Sequence, residues 1–279
     1  KEFYDAFSTY KHPKSNNVYD TLETKPRHQQ LWAKQVNINP DDDLIEPYWF
    51  GCNSYVDSEI GRVLDHVQTT LEEPMILYTA DHGGAFHSHR LSDKGPAMYD
   101  EITNVPFILK HTPTIQAQTI HNNIVSHIDI LPTVLDFFNV PSSKNLQGES
   151  LLPQVHNPSK HQEDPRYMEY TRYEIDHDGF GGYQPIRCIV TPSFKLVINF
   201  LSSDELYDRI NDPDEMNNLI SSEHHIVIRN HLHDQLLDWM YQTRDPNRGY
   251  YWLHRPWRID ATAETWNDRG YTRQSIEET

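Results

Sequence analysis

Residues 75 to 84 read MILYTADHGG, an apolar run that ends abruptly in an acid, a histidine and two glycines. A short unbroken apolar run suits a strand buried on both faces of a parallel sheet, since half-solvated strands alternate. Open α/β sheets bind their ligands beyond the carboxyl ends of strands, which puts Asp81 and His82 where chemistry is expected. Residues 105 to 109 (VPFIL) read as a second such strand. Ahead of the first, Val56, Ile60, Val63, Leu64 and Val67 repeat at helical spacing. Ser54 and Asp57 can cap that helix, and Glu72, Glu73 and Pro74 stop it. A further helix is predicted from Asp129 as N-cap, with Pro132 in its first turn and Leu131, Leu135 and Phe138 as its buried stripe.

Residues 1 to 50 are polar and aromatic, opening on an amphipathic pattern in KEFYDAF, with 10 to 28 reading as an extended loop and 40 to 43 as a turn. Residues 186 to 200 read as a hairpin around Thr191-Pro192-Ser193, and 205 to 208 as an added edge strand. Residues 223 to 241 read as a helix burying Ile226, Leu232, Leu236, Trp239 and Met240. The resulting division is 1–155, an α/β part, 156–246, a small antiparallel sheet with a covering helix, and 247–279, an aperiodic tail that wraps the surface or an oligomer partner. A length of 279 residues with 37% hydrophobic content supports one large α/β unit plus a subdomain.

A net charge of −17 without a basic stripe argues against a nucleic-acid or anionic-membrane surface. No apolar run approaches the roughly 20 residues needed to span a bilayer, and a cytoplasmic location is the expectation. Cys52 and Cys188, the two cysteines, are expected to be buried free thiols. The start of the chain, KEFYDAF, suggests a fragment or processed piece.

Asp81 offers hard oxygen for Ca²⁺ or Mg²⁺, and with the His82 nitrogen for Mn²⁺. Gly83 and Gly84 let the backbone turn away sharply. Lys94 adds a fixed ammonium, which beside a divalent cation makes a site for a tetrahedral oxyanion. The plainer alternatives are a strand-ending turn and a solvated lysine. A zinc site of His82, His87 and His89 is disfavoured, because no Cys or Glu stands at zinc-motif spacing. The loop 172 to 187 (RYEIDHDGFGGYQPIR) reads either as a substrate-recognition loop or as a flexible connection.

YTADHG (78 to 83), the span from His89 to Lys94-Gly95, Tyr99-Asp100-Glu101 and Val105-Pro106 resemble sulfatases of the alkaline-phosphatase superfamily in order and spacing. YVDSEIGRVLDHV (55 to 67), HIDILPTVLDFFNVP (127 to 141), GESLLP (148 to 153) and ELYDRINDPDEMNNL (205 to 219) extend the resemblance. DQLLDWMYQTRDP (234 to 246) is similar to the sulfamidase-like branch.

The resemblance implies an alkaline-phosphatase-like parallel-sheet core with helices on both faces, of which residues 1–155 are the carboxyl-terminal part. It implies metal-dependent hydrolysis of sulfate esters, with Asp81 and His82 as metal ligands and Lys94 binding sulfate and steadying the departing oxygen. His89 stands either on the leaving-group side or as a structural histidine. The cation implied is Ca²⁺, with Mn²⁺ as the alternative that an imidazole ligand favours. The family's nucleophile is a formylglycine made from the cysteine of CxPxR, a motif these residues do not contain. The paired amino-terminal aspartates are also missing. The expected partners are therefore a sulfated small molecule or sugar and an amino-terminal half as a separate chain or segment, with a homo-oligomer left open. The alternatives are a phosphonate monoester hydrolase or phosphodiesterase of the same superfamily, and a noncatalytic subunit.

Overall fold

The computed structural model describes residues 1–142, 145–157, 164–171, 183–249 and 255–258. In chain order the helices are α1 (Glu2–Phe7), α2 (Arg27–Val36), α3 (Pro47–Thr70), α4 (Asp100–Thr103), α5 (Ile130–Phe137), α6 (Leu152–His156) and α7 (Ile226–Gln242). The strands are β1 (Ile76–Thr79), β2 (Phe107–Lys110), β3 (Arg166–Tyr170), β4 (Ile186–Val190), β5 (Phe194–Asn199) and β6 (Glu205–Asp208). Two compact units result, one of Lys1–Asp20, Val36–Lys94 and Tyr99–Gln162, the other of Thr21–Gln35, Gly95–Met98 and Glu163–Thr279.

In the first unit α3 starts at Pro47 rather than at Ser54, because proline fits a first helical turn whose N–H would be unbonded anyway. Its apolar stripe is partly covered: Ile60, Leu64 and Val67 are half-buried while Val56 and Val63 are exposed. The buried position is Gly51, where a Cβ would stand 3.0 Å from the Phe3 carbonyl oxygen. That close approach seats α1, and the rings of Phe3 on Tyr55, Tyr4 on Tyr48 and Phe7 on Phe50 lock it at centroid distances of 5.7, 4.6 and 5.6 Å. The amphipathic opening of the chain is therefore a helix held by aromatic contacts. Cys52, next to Gly51 and turned about 100° from it on the helix, is exposed, which corrects the expectation of a buried thiol. Cys188 is buried as expected.

β1 and β2 pair with each other antiparallel, from Ile76 opposite Lys110 to Thr79 opposite Phe107, where parallel strands were expected. The two-faced burial of a parallel core strand is absent too: Tyr78 and Ile108, directly opposed, are 42% and 58% exposed.

The start of α5 is fixed by Asp129 and Ser126, which exchange capping-box hydrogen bonds. The buried Asp129 carboxylate accepts from the Ser126 N–H at 2.9 Å and the Glu149 N–H at 3.0 Å. Thr133 Oγ1 donates to the Asp129 carbonyl at 2.6 Å and accepts from the Leu151 N–H at 2.9 Å. These ties turn Pro132 and Thr133 inward and leave Leu131 and Phe138 exposed, opposite to the predicted stripe. Asp129→Ala strands two N–H groups, and at about 1–3 kcal/mol for a buried unsatisfied group the expected loss is about 3 kcal/mol in urea denaturation.

The second unit carries the antiparallel sheet β3-β4-β5-β6 under α7. Its core is Ile189, Leu196, Ile198 and Leu206 of the sheet against Leu232, Leu236, Leu237 and Met240 of the helix. Ile226 is exposed, and the charged or polar Arg229 and His233 are buried instead. The 205 to 219 block is a buried polar frame. Glu205 accepts from Gln29 Nε2 at 3.1 Å, Asn199 Nδ2 at 2.9 Å and the Tyr207 hydroxyl at 2.5 Å. Glu215 pairs with the buried Lys195 at 2.7 Å, and Lys195 also donates to the Met98 carbonyl at 2.7 Å.

Burial pushes the His233 imidazole down to about 4, and the Arg258 guanidinium donating to Nδ1 at 2.9 Å holds the ring neutral. The unfolded chain then binds the extra proton below about 6.5, so stability from this group is full above that pH and is lost as pH falls toward 4. The stability difference between wild type and His233→Gln is expected to shrink by about 3 kcal/mol from pH 7 to pH 4 in urea titrations. A difference that does not change with pH would contradict the buried neutral ring.

Candidate oxyanion and metal site

β1 ends at Thr79 and delivers Asp81 and His82 into a loop that runs to Lys94. Gly83 is required by close approach rather than by a left-handed φ. A Cβ there would stand 2.0 Å from the Glu101 carbonyl oxygen, and the Gly83 N–H donates to the Ile102 carbonyl at 2.8 Å. The loop closes on itself through Ala85 N–H to Asp93 O at 2.7 Å and His87 N–H to Leu91 O at 2.9 Å. Phe86, His87, His89, Arg90 and Asp93 all take positive φ, from 41° to 75°. Each such residue costs on the order of 1 kcal/mol or more, and strain of this kind concentrates at functional sites.

Asp81 is largely exposed, with its side chain at 86%. The His82 N–H donates to its Oδ1 at 2.9 Å, and this bond, followed by the charges of His82 and Lys94, holds the carboxyl below the usual range. The His82 ring donates from Nδ1 to the Gly83 carbonyl at 2.8 Å, and its Nε2 stands 3.4 Å from Asp81 Oδ2. Adjacent ligands of an octahedral cation with bonds of about 2.2 Å stand about 3.1 Å apart, so this pair fits one edge of such a shell. A backbone bond on the other imidazole nitrogen is the usual way a histidine ligand is oriented. Among the described residues no group of three or more His, Cys, Asp and Glu comes together to hold a metal. Asp81 and His82 fit a divalent cation as two of its ligands.

His89 lies elsewhere in the loop's architecture. Its ring is fully buried and stacks on Tyr99 at 3.7 Å. Nδ1 donates to Asp20 Oδ2 at 2.7 Å, and Asn17 Nδ2 stands 3.4 Å from Nε2 and 2.5 Å from Glu101 Oε1. His87 lies 3.5 Å from Glu46 and not with His82. Asp43 is a surface partner of Lys11 at 2.5 Å. Sequence reasoning missed Asn17 and Asp20, whose only signal was polarity in a segment read as loop. The suggested recognition loop lies mostly, at 172–182, outside the described residues. No described helix is long and apolar enough to cross a membrane.

An exposed carboxylate and an imidazole thus stand together just beyond the end of β1. The chain belongs to the sulfatase family: the family model described as N-sulphoglucosamine sulphohydrolase, C-terminal, matches residues 87–242 and the one described as Sulfatase matches 2–140. It is 41% identical over 265 residues to the uncharacterized sulfatase YidJ of Escherichia coli K12, covering 93% of this chain and 51% of that one. It is 32% identical to an N-acetylglucosamine-6-O-sulfatase of Bacteroides thetaiotaomicron, over 68% of this chain and 34% of the relative. The solved structure of BT4656 in complex with its substrate D-glucosamine-2-N,6-O-disulfate superimposes with a TM-score of 0.66 at 29% identity, covering 72% of this chain and 41% of the other. The fold is thus the α/β, alkaline-phosphatase-like fold of these sulfatases. The chain spans about half the length of the first of these relatives.

Proposed function

We propose that this chain is part of a metal-dependent hydrolase of sulfate esters whose substrates are sulfated sugars. The observation that carries the proposal is the exposed Asp81–His82 pair with Oδ2 and Nε2 3.4 Å apart, its carboxyl held low in small part by the charge of Lys94. In this reading Asp81 and His82 would hold two coordination positions of a divalent cation, which would supply Lewis-acid polarisation of the sulfate oxygens. Lys94 binds a sulfate oxygen and offsets the charge that moves to the departing ester oxygen. The cation is Ca²⁺ by resemblance, while the imidazole ligand favours Mn²⁺. Enzyme stripped with a chelator and reloaded with each ion distinguishes them by recovered turnover.

The buried ring of His89, engaged by Asp20 and Asn17, supports a role in holding the loop rather than in meeting the leaving group. Neither cysteine supports a nucleophile role: Cys188 is buried in β4, and Cys52 has no proline or arginine at the offsets of CxPxR. We place the attacking group outside these 279 residues. Sugar substrates are supported by the relatives that act on N-acetylglucosamine sulfate and glucosamine disulfate.

The test compares 4-nitrophenyl sulfate and glucosamine 6-sulfate with a phosphodiester and a phosphonate monoester. The expected kcat/KM favours the sulfates by about 100-fold or more, equivalent to about 2.7 kcal/mol of transition-state preference. A preference for the phosphonate would replace this reading with the phosphonate monoester hydrolase one. Failure to turn over any ester in the complete enzyme would leave the noncatalytic one.

A further inference from the structure

The strained loop that carries the metal pair also carries an aromatic ring with a different task. Phe86, at φ 41°, sets its ring 4.2 Å from Trp49, 5.7 Å from Phe50 and 5.8 Å from His12. These partners come from two other segments, the start of α3 and the 10 to 12 stretch, so three parts of the first unit build one aromatic tier. Its inner members are covered by one another, yet Trp49 remains 47% exposed. Large aromatics grouped at a surface mark a binding face rather than chance exposure. Along its rim, Glu46 Oε1 and His87 Nε2 stand 3.5 Å apart, both partly open to solvent.

A flat π-face edged by a carboxylate and an imidazole suits a ligand with an apolar C–H face and a ring of hydroxyls. That is the chemistry of a pyranoside: the rings take the C–H face and the rim groups bond the hydroxyls. A purely apolar ligand would leave the rim pair unused. Phe86 and His87 follow His82 within the loop that closes on itself between 85 and 93. We propose that Trp49, backed by Phe86 and edged by Glu46 and His87, forms a saccharide platform that receives the sugar ring adjoining the sulfated one. The proposal rests on the sulfated-sugar reading for its link to turnover, while saccharide binding itself is independent of it.

The test uses the complete enzyme and two readouts. With a 6-sulfated glucosamine disaccharide, Trp49→Ala is expected to raise KM about tenfold with kcat within about twofold, and Trp49→Phe to restore most of the affinity. With 4-nitrophenyl sulfate the same variant is expected to stay within about twofold of wild type. Equal losses on both substrates, or no loss on either, would overturn the platform. In the second readout, saturation-transfer NMR with unsulfated N-acetylglucosamine disaccharide is expected to show binding that Trp49→Ala removes. Absence of that binding in wild type overturns the platform, and binding without any ester turnover sinks the hydrolase reading instead. Should Trp49→Ala misfold, Glu46→Gln is expected to raise KM on the disaccharide and leave 4-nitrophenyl sulfate unchanged, and an unchanged disaccharide KM there overturns the proposal.

Discussion

Replacing Asp81 with alanine is expected to lower kcat/KM for sulfate esters by at least about 1,000-fold, or about 4 kcal/mol of transition-state stabilisation. The side chain is exposed and its one short bond runs to the neighbouring His82 N–H, so folding loses little when it is removed. The loss should therefore appear as missing metal in elemental analysis, with the melting temperature of metal-free protein unchanged. Turnover within tenfold of wild type would show that Asp81 holds no essential ligand position.

Gly83→Ala is expected to lower kcat by about 100-fold, the scale on which a displacement near 1 Å acts on a reacting constellation. The added methyl would meet the Glu101 carbonyl oxygen at 2.0 Å, a backbone atom that cannot swing aside. Either the loop or α4 must shift, and the bond from the Gly83 N–H to Ile102 is lost with it. Because His82 is oriented through the Gly83 carbonyl, the shift reaches Nε2 directly. Gly84→Ala is the control. Its Cβ would come no nearer than 3.6 Å to the Asp93 carbonyl oxygen, so near wild-type activity is expected. Equal activity losses in the two variants would show that loop flexibility, not this contact, matters.

The contrast between these glycines shows where sequence stopped being informative. Tandem glycines after Asp81-His82 announced a sharp turn, but only the position of Glu101 distinguishes the required one. The adjacency of Asp81 and His82 beyond a strand end was legible because it is local in sequence. The partners of His89 were not, since Asn17 and Asp20 reach it across about 70 positions of chain. Strand direction has the same non-local character: β1 and β2 are each apolar runs, and nothing in either states that they pair antiparallel. The hairpin of β4 and β5 was read correctly because its turn residues and β-rich flanks are contiguous. The amphipathic pattern of α1 is local, whereas the aromatic partners that hold it lie on α3. In α7 the periodicity gave Leu232, Leu236 and Met240, while Arg229 and His233 are buried through hydrogen bonds that hydrophobic spacing does not encode.

The account turns on a cation held by Asp81 and His82. Anomalous diffraction from crystals of the complete enzyme, recorded on both sides of the absorption edge of bound Mn²⁺, locates that ion without reference to activity. The account predicts a peak about 2.0–2.4 Å from an Asp81 carboxylate oxygen and from His82 Nε2. A peak at another site, with both side chains unligated in an enzyme that still releases sulfate, would contradict it.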